Sequence, residues 1–376
     1  MYLPALPELA GDLSTGASAA QLTVTACIIG LAGGQVVTGP LSDQWGRRAP
    51  LLVCIALYSL ASVLCAAAPS LEVLVAARLV QGTAGSAGVV IARAVVRDLY
   101  EGAVAAKYFA LLMSVAATAP VLAPVAGGQL LHVTSWRGIF AVTAGLGLAL
   151  SAAVLLGVRE TLPAERRRSG ALPDNLRVFA RLCSDRQFAG YALTGGLAFA
   201  AMFAYIAGSP FVLQEAYGLS PQAFSAVFAA NGVGIVAASQ LSGWLAGRVP
   251  PRTVLRAGLT ASCTGAASLL VVVLGGVGLG GVLPALFLVV GSIGLILPNT
   301  AALAMTRWPP AVAGAASSLL GLVQFVIGGA VSPLVGIAGP DTAVPMAVAI
   351  AALAGAAVLA FLSTTEPALE SGPERA

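Results

Sequence analysis

Charge is what this sequence has least of. Only 9% of its 376 residues are Asp, Glu, Lys or Arg, against 58% hydrophobic, and soluble domains carry about 25% charged residues. So few charges cannot cover the surface of a water-soluble fold of this length, so lipid is the solvent. Mean hydropathy is +0.93. The net charge of +4 is too small to suggest nucleic acid as a partner. One histidine and five cysteines (Cys27, Cys54, Cys65, Cys183 and Cys263) leave no metal-ligand spacing and no disulfide framework. Four of these cysteines lie in apolar runs and read as small core residues. No basic segment followed by a short apolar core opens the chain, so no secretory signal is read there.

What the sequence has is long apolar runs, each near the 20 residues that a bilayer crossing requires. They cover about 19–41, 49–68, 72–96, 104–131, 136–157, 188–213, 221–246, 253–275, 279–303, 311–337 and 341–363, eleven spans in all. The single long polar break, 158–187, holds Arg159, Arg166, Arg167, Arg168, Arg177, Arg181 and Arg186. The domains read as an N-terminal helix bundle over 1–157, a linker over 158–187, a C-terminal bundle over 188–363 and a tail over 364–376. Within the linker, Leu172, Leu176, Phe179 and Cys183 recur at helical spacing, so 172–185 reads either as a helix along the membrane surface or as a solvated connection.

Basic residues collect at every second junction: Arg47 and Arg48, Arg97 and Lys107, the linker arginines, then Arg248, Arg252 and Arg256, Arg307, and Arg375 in the tail. Arg137 is the exception. Such junctions mark the cytoplasmic side, which places the linker and the C-terminus inside the cell. An odd number of spans then puts Met1 outside. The expectation is that most of a first helix is missing from this chain, with residues 1–10 as its outer end. The halves also resemble each other: Gly39-Pro40-Leu41-Ser42-Asp43 up to Arg48 aligns at constant offset with Gly243-Trp244-Leu245-Ala246-Gly247 up to Arg252, a duplication typical of two-bundle transporters.

Several motifs are more specific. Gly39, Asp43, Gly46, Arg47 and Arg48 occupy a junction too short for more than a turn; Gly39 permits close helix approach and Gly46 a tight turn. Arg78 lies in an apolar run with Gln81 and Gly82 almost one turn later. An arginine at bilayer depth costs about 2.5–3.5 kcal/mol on insertion scales, so it faces the bundle interior or snorkels. Arg93, lower on the same span, reads as a snorkelling end residue. Ala119, Ala123, Pro124, Gly127 and Gly128 form a small-residue face with a kink point.

These motifs, with Met1-Tyr2-Leu3-Pro4-Ala5-Leu6-Pro7, Arg78-Leu79-Val80-Gln81-Gly82, Ala92-Arg93-Ala94-Val95-Val96-Arg97-Asp98 and Ser209-Pro210-Phe211, resemble the major facilitator superfamily. The nearest resemblance is to its Bcr/CflA-type drug-resistance branch, similar to drug:proton antiporters. The resemblance implies an all-α polytopic membrane protein of two six-helix bundles. It implies export of small amphipathic drug-like molecules, a proton as coupling ion with no other cofactor, a bacterial inner membrane and a monomer. It gives Asp43, Arg47 and Arg48 the role of latching the cytoplasmic ends of the bundles in one state, with Asp98 as the partner of Arg47. It gives Arg78, Gln81 and Gly82 a part in coupling proton to substrate. The helix-5 motif usually has glycine where Ala119 and Ala123 stand, which weakens the antiporter signal.

No acidic residue lies in mid-span, although a proton-driven exporter needs a titratable group in its path. In the resembled branch an aspartate immediately precedes the Met-Tyr-Leu-Pro segment, so the proton carrier would be absent with the first helix. Met113, Tyr191, Phe199, Phe203, Tyr205, Asn231, Asn299 and Gln324 are candidate cavity residues drawn from spans of both halves. A facilitator of a native metabolite and a truncated, non-transporting membrane protein stay open as alternatives. A membrane-embedded enzyme lacks any cluster of catalytic residue types.

Overall fold

The computed structural model describes residues 1–100, 102–167, 171–306, 308–309, 312–336, 339 and 342–364. Those residues hold helices and turns and no strand. A 3₁₀ turn at Leu3–Ala5 leads into α1 (Leu6–Asp12), followed by α2 (Ala17–Trp45), α3 (Arg48–Ala66), α4 (Leu71–Leu99), α5 (Gly102–Leu130) and α6 (Trp136–Gly157). Then come α7 (Ala171–Ser184), α8 (Arg186–Phe211), α9 (Pro221–Leu245), α10 (Pro251–Leu274), α11 (Leu279–Met305), α12 (Ala313–Val331) and α13 (Val344–Thr364). Only part of the side chains of α5, α7 and the start of α12 is described. All helices but α1 and α7 coincide with the eleven expected spans. Among the described residues ten helices are long and apolar enough to cross a membrane; α5, with 29 residues, has the required length.

The ends follow local chemistry. Gly46 stops α2 at φ +91°, a left-handed conformation that glycine adopts without penalty. Asp185 caps α8 by accepting from Phe188 N at 2.6 Å. Ser220 caps α9 by accepting from Ala223 N at 3.2 Å, with Pro221 in the first turn, where its missing N–H costs nothing.

In the first half α2 packs on α4, and α3 on α4 and α6. In the second, α8 packs on α11, α12 and α13, and α11 on α9 and α10. The halves meet where α2 lies against α12 and α5 against α9. The α2–α4 contact is unusually close because three glycines line it. A Cβ on Gly82 would stand 1.9 Å from Cys27 O, one on Gly30 2.2 Å from Leu79 O, and one on Gly34 2.4 Å from Thr83 O. Backbone therefore meets backbone along this seam.

The linker helix α7 differs from the expected pattern. Leu182 is fully buried and packs with Val178 and Phe179 into the core formed by Phe188, Leu319 and Phe361, while Cys183 is exposed. The helix docks on α8 and α12 through this face. Cys183 thus falls off the apolar stripe, because 182 and 183 are about 100° apart around a helix. Leu172 and Leu176 have side chains outside the described residues.

Candidate functional site

One end of the bundle carries Arg47, Arg48, Asp98 and the start of the linker, and is called the basic end below. Arg47 is buried at 3% exposure between α2 and α3. Its Nε donates to Asp98 Oδ2 at 2.8 Å, and its Nη1 to Asp43 Oδ1 at 2.6 Å and Ser42 Oγ at 2.8 Å. Burial pulls the Arg47 pKa down, but the carboxylates of Asp98 and Asp43 outweigh it and raise the pKa above the ordinary arginine value. Arg48 instead reaches Leu155 O at 2.7 Å. Gly39 lines the crevice beside this network with Asp43 and Arg47.

Glu160, the first acid of the linker, completes the arrangement. Its carboxylate accepts from four backbone N–H groups: Arg47 at 2.7 Å, Arg48 at 3.1 Å, Thr161 at 3.0 Å and Leu162 at 3.0 Å. It thereby caps the N-terminus of α3 from outside the helix. Thr161 Oγ1 adds a bond to Asp98 Oδ2 at 3.4 Å. Gly46 is required twice here, for its φ and because a Cβ would stand 2.5 Å from Glu160 Oε2. Burial would raise the Glu160 pKa, but the N–H groups of Arg47, Leu162, Arg48 and Thr161 outweigh it and hold it below the ordinary carboxylate value. A depressed folded-state pKa contributes stability above the unfolded value of about 4.3, lost as pH falls through the folded value. Glu160→Gln is therefore expected to lower the melting temperature at pH 7, with the difference from wild type closing as the solution is acidified below about pH 4. An equal difference at every pH would contradict this.

All partners of Arg47, Arg48 and Glu160 named above belong to the first half or the linker. Among the described residues, none of these bonds reaches α8–α13.

The second group surrounds Arg78 on α4. Its Nη1 donates to Gln81 Oε1 and its Nε to Thr23 O at 3.4 Å, with Gln81 Nε2 passing the chain on to Ser62 Oγ at 2.6 Å. The rings of Tyr2 and Phe140 lie 4.3 and 5.5 Å from the guanidinium, in cation–π range. Gly82 sets the distance, since its contact with Cys27 brings α2 close enough for Thr23 O to meet Arg78. Arg78 and Gln81 line a cavity of about 420 Å³ with Tyr58, Thr143, Ala123 and, from the second half, Phe203 and Ile206. A second cavity of about 280 Å³ lies between α8, α9 and α11, lined by Met202, Tyr205, Phe228, Ser239 and Gln240. Ile206 borders both.

The candidate cavity residues divide. Phe203 and Tyr205 line these spaces, and Asn231 donates to Tyr205 OH at 2.8 Å, orienting that ring. Phe199 stacks on Phe203 with centroids 5.3 Å apart and meets Phe325 edge-on. Phe199, Tyr191, Asn299 and Gln324 border neither cavity. Tyr191 sits toward the basic end of α8, against Phe361 and within 3.4 Å of Arg252 Nη1. Asn299 ties α11 to α9 through Ser242 Oγ at 2.8 Å. Gln324 lies near Gly195 on α8. Met113 has a side chain outside the described residues. Tyr58, Thr143 and Glu160 are site residues that belong to no motif in the sequence, and Tyr2 stood out only as part of the Met1–Pro7 segment.

The end opposite the basic end is closed by bonds between the halves. From one face of α2, Ser18 Oγ donates to Pro333 O at 2.7 Å, Gln21 Nε2 to Ala207 O at 3.0 Å and Thr25 Oγ1 to Gly329 O at 3.0 Å. From α9, Ser225 Oγ donates to Pro124 O and Gln222 Nε2 to Gly128 O, each at 3.0 Å. Gln214 Nε2 donates to Pro4 O at 3.1 Å. The small-residue face of α5 makes this contact possible, because a Cβ on Gly128 would stand 2.3 Å from Ser225 Oγ. Gly127 meets the backbone of Met1 in the same way. Ala123 faces the larger cavity, and Ala119 faces a groove toward α4. Arg137, the exception in the arginine pattern, also lies here, neutralised by Asp12 and stacked 4.2 Å over Trp136.

A helical bundle with a central cavity, closed at one end and carrying a buried ion network at the other, is the arrangement of a polytopic membrane transporter. The sequence profile of the Major Facilitator Superfamily matches residues 1–333, and the chain belongs to that family. It is 42% identical over 368 residues, 97% of this chain and 91% of the relative, to the uncharacterised MFS-type transporter YdgK of Bacillus subtilis. It is 31% identical over 375 residues, 99% and 93% of the two chains, to the bicyclomycin resistance protein homologue of Haemophilus influenzae, which supports the drug-resistance branch. The fold matches the solved nucleoside transporter NupG with a TM-score of 0.75 at 13% identity, covering 96% of this chain and 95% of that one. The family and this neighbour are transporters, not enzymes.

Proposed function

We propose that the chain exports small amphipathic drug-like molecules across a bacterial plasma membrane by alternating access, in exchange for protons, and that the structure is its inward-open state. The observation that carries this reading is the asymmetry of closure. Among the described residues, bonds between the halves gather at the end opposite Arg47, while the Arg47 network keeps to the first half and the linker. The arginine pattern assigns the basic end to the cytoplasm, so the cavities around Arg78 and Tyr205 would be loaded from inside. Their walls are mostly apolar and aromatic with a few polar groups, the lining that takes up amphipathic molecules of varied shape. In the outward-open state the second half would close over Asp43, Arg47 and Arg48. Proton exchange rests on the family resemblance.

The test is accumulation of bicyclomycin, the drug in the name of one relative, in an efflux-deficient bacterial host. Expression is expected to lower accumulation, and a protonophore to restore it. Unchanged accumulation of bicyclomycin and of a panel of other amphipathic antibiotics would overturn drug export. Export that ignores the protonophore would overturn proton coupling alone. The closed end makes a separate prediction. Each of its bonds runs from a side chain to a carbonyl, worth about 0.5–1.5 kcal/mol net. Ser18, Gln21 and Thr25 replaced together by alanine should therefore favour the outward-open form by about 2–4 kcal/mol. Spin-label distances across that end should lengthen; an unchanged distribution would contradict it.

A further inference from the structure

Two arginines remain unused by the network at the basic end. Arg93 and Arg97 lie on α4 one turn apart, both exposed, and neither makes an ion pair or hydrogen bond among the described residues. They line a polar crevice of about 270 Å³ with Gly39, Ser42, Asp43 and Arg47. Arg47 pairs there with Asp43 at 2.6 Å and with Asp98 at 2.8 Å, and none of these bonds involves Arg93 or Arg97 among the described residues. Arg93 also borders a second space of about 200 Å³, between α4 and α5, lined by Gly88, Val89, Ala92, Leu112, Val115 and Ala119. This groove is apolar apart from Arg93.

The order along α4 is informative. From the helix end inward come Arg97, Arg93, Ala92, Val89 and Gly88, a positive head followed by an apolar track along one face. At 1.5 Å per residue the run from Arg97 to Gly88 covers about 13 Å, from the headgroup level into the hydrocarbon. Gly88, Ala92 and Ala119 leave this track shallow-walled. An anion bound alone would use the arginines and ignore the track. A neutral lipid would use the track and ignore the arginines. One ligand matches both parts in this order.

We propose that the α2–α4–α5 crevice binds one anionic phospholipid, its phosphate between Arg93 and Arg97 and an acyl chain in the groove below. Because Asp43 and Arg47 line the same crevice, the lipid would sit against the network that the second half would close over in the outward-open state. Its presence would tune the balance between states without entering the transport path.

The experiment uses the full chain, purified in a neutral detergent, with thermal unfolding and native mass spectrometry after addition of phosphatidylglycerol, phosphatidylcholine or inorganic phosphate. Phosphatidylglycerol is expected to raise the melting temperature and to be retained at one molecule per chain, and the other two are not. Arg93→Gln with Arg97→Gln should weaken retention about thirtyfold, on the scale of basic residues near an anionic surface. Ala92→Leu, which fills the groove and leaves both charges, should also weaken it. Arg248→Gln with Arg256→Gln, a basic pair in the second half, should not. Equal stabilisation by phosphatidylcholine or by inorganic phosphate would overturn the proposal. So would full retention by both the Arg93/Arg97 pair variant and Ala92→Leu. A variant that fails to fold is replaced by Arg93→Lys, Arg97→Lys, expected to keep retention.

Discussion

Arg47→Ala will insert in the membrane and lose transport by roughly a hundredfold or more. The side chain is 3% exposed and holds two carboxylates at 2.6 and 2.8 Å. Its removal leaves Asp98, itself only 13% exposed, without the guanidinium that bonds both it and Asp43. Breaking a buried pair from one side costs about 3–5 kcal/mol, because the remaining charge is uncompensated. If that cost falls on one conformational state more than the other, 3 kcal/mol is already more than a hundredfold in population. Asp98→Asn should be milder than Arg47→Ala, since Asp43, Ser42 and the uncharged amide still accept from the guanidinium. The double variant Arg47→Ala, Asp98→Asn separates stability from function. It is expected to regain much of the lost melting temperature, because no buried carboxylate is stranded, and to remain inactive, because the network is gone. Wild-type transport by Arg47→Ala at normal membrane abundance would contradict the role assigned to it.

Gly82→Ala is expected to have the largest effect of any single methyl group added along the α2–α4 seam. The new carbon would lie 1.9 Å from the carbonyl oxygen of Cys27, and no rotamer change can relieve a collision with backbone. Separation of α2 from α4 then breaks the Gly30 and Gly34 contacts as well, and it carries Thr23 away from Arg78. Overpacking costs about 1–3 kcal/mol where side chains can adjust, and here the upper part of that range or more applies. The melting temperature should fall by several degrees, and transport with it. Gly33→Ala on α2 is the control, since a Cβ at that position meets nothing within 4 Å. Helix propensity alone favours alanine over glycine at both positions, so similar losses from both substitutions would mean that the α2–α4 seam does not govern the result.

The long helices were legible because a bilayer fixes their length and composition at once. Even their ends were close: α6 is Trp136–Gly157, the range expected for that span. Gly46 announced the turn it makes, since only a glycine accepts that φ at low cost. The partners inside the network were less legible. Glu160 binds the backbone of Arg47 across 113 residues, and a carboxylate that accepts only N–H groups leaves no spacing in the sequence. Its trace was only that of one among four acids, with Glu165, Asp174 and Asp185, in an arginine-rich linker. Ser18, Gln21 and Thr25 did carry a signal, a polar stripe spaced three and four residues apart in an apolar helix. The cavity residues were hardest. Membrane helices are apolar on every face, so an aromatic such as Tyr191 can point to the interior or toward a neighbouring helix without changing the pattern. Tyr205 and Tyr191 illustrate this on one helix, one lining a cavity and the other packed against Phe361.

The central claim is that closure sits at the end opposite Arg47. With the native cysteines replaced by serine, spin labels at Gly16 and Leu334 report on that end, and labels at Trp45 and Ser317 on the basic end. Without substrate, the account predicts a short, narrow distance between Gly16 and Leu334 and a long one between Trp45 and Ser317. A long first distance together with a short second one would contradict it.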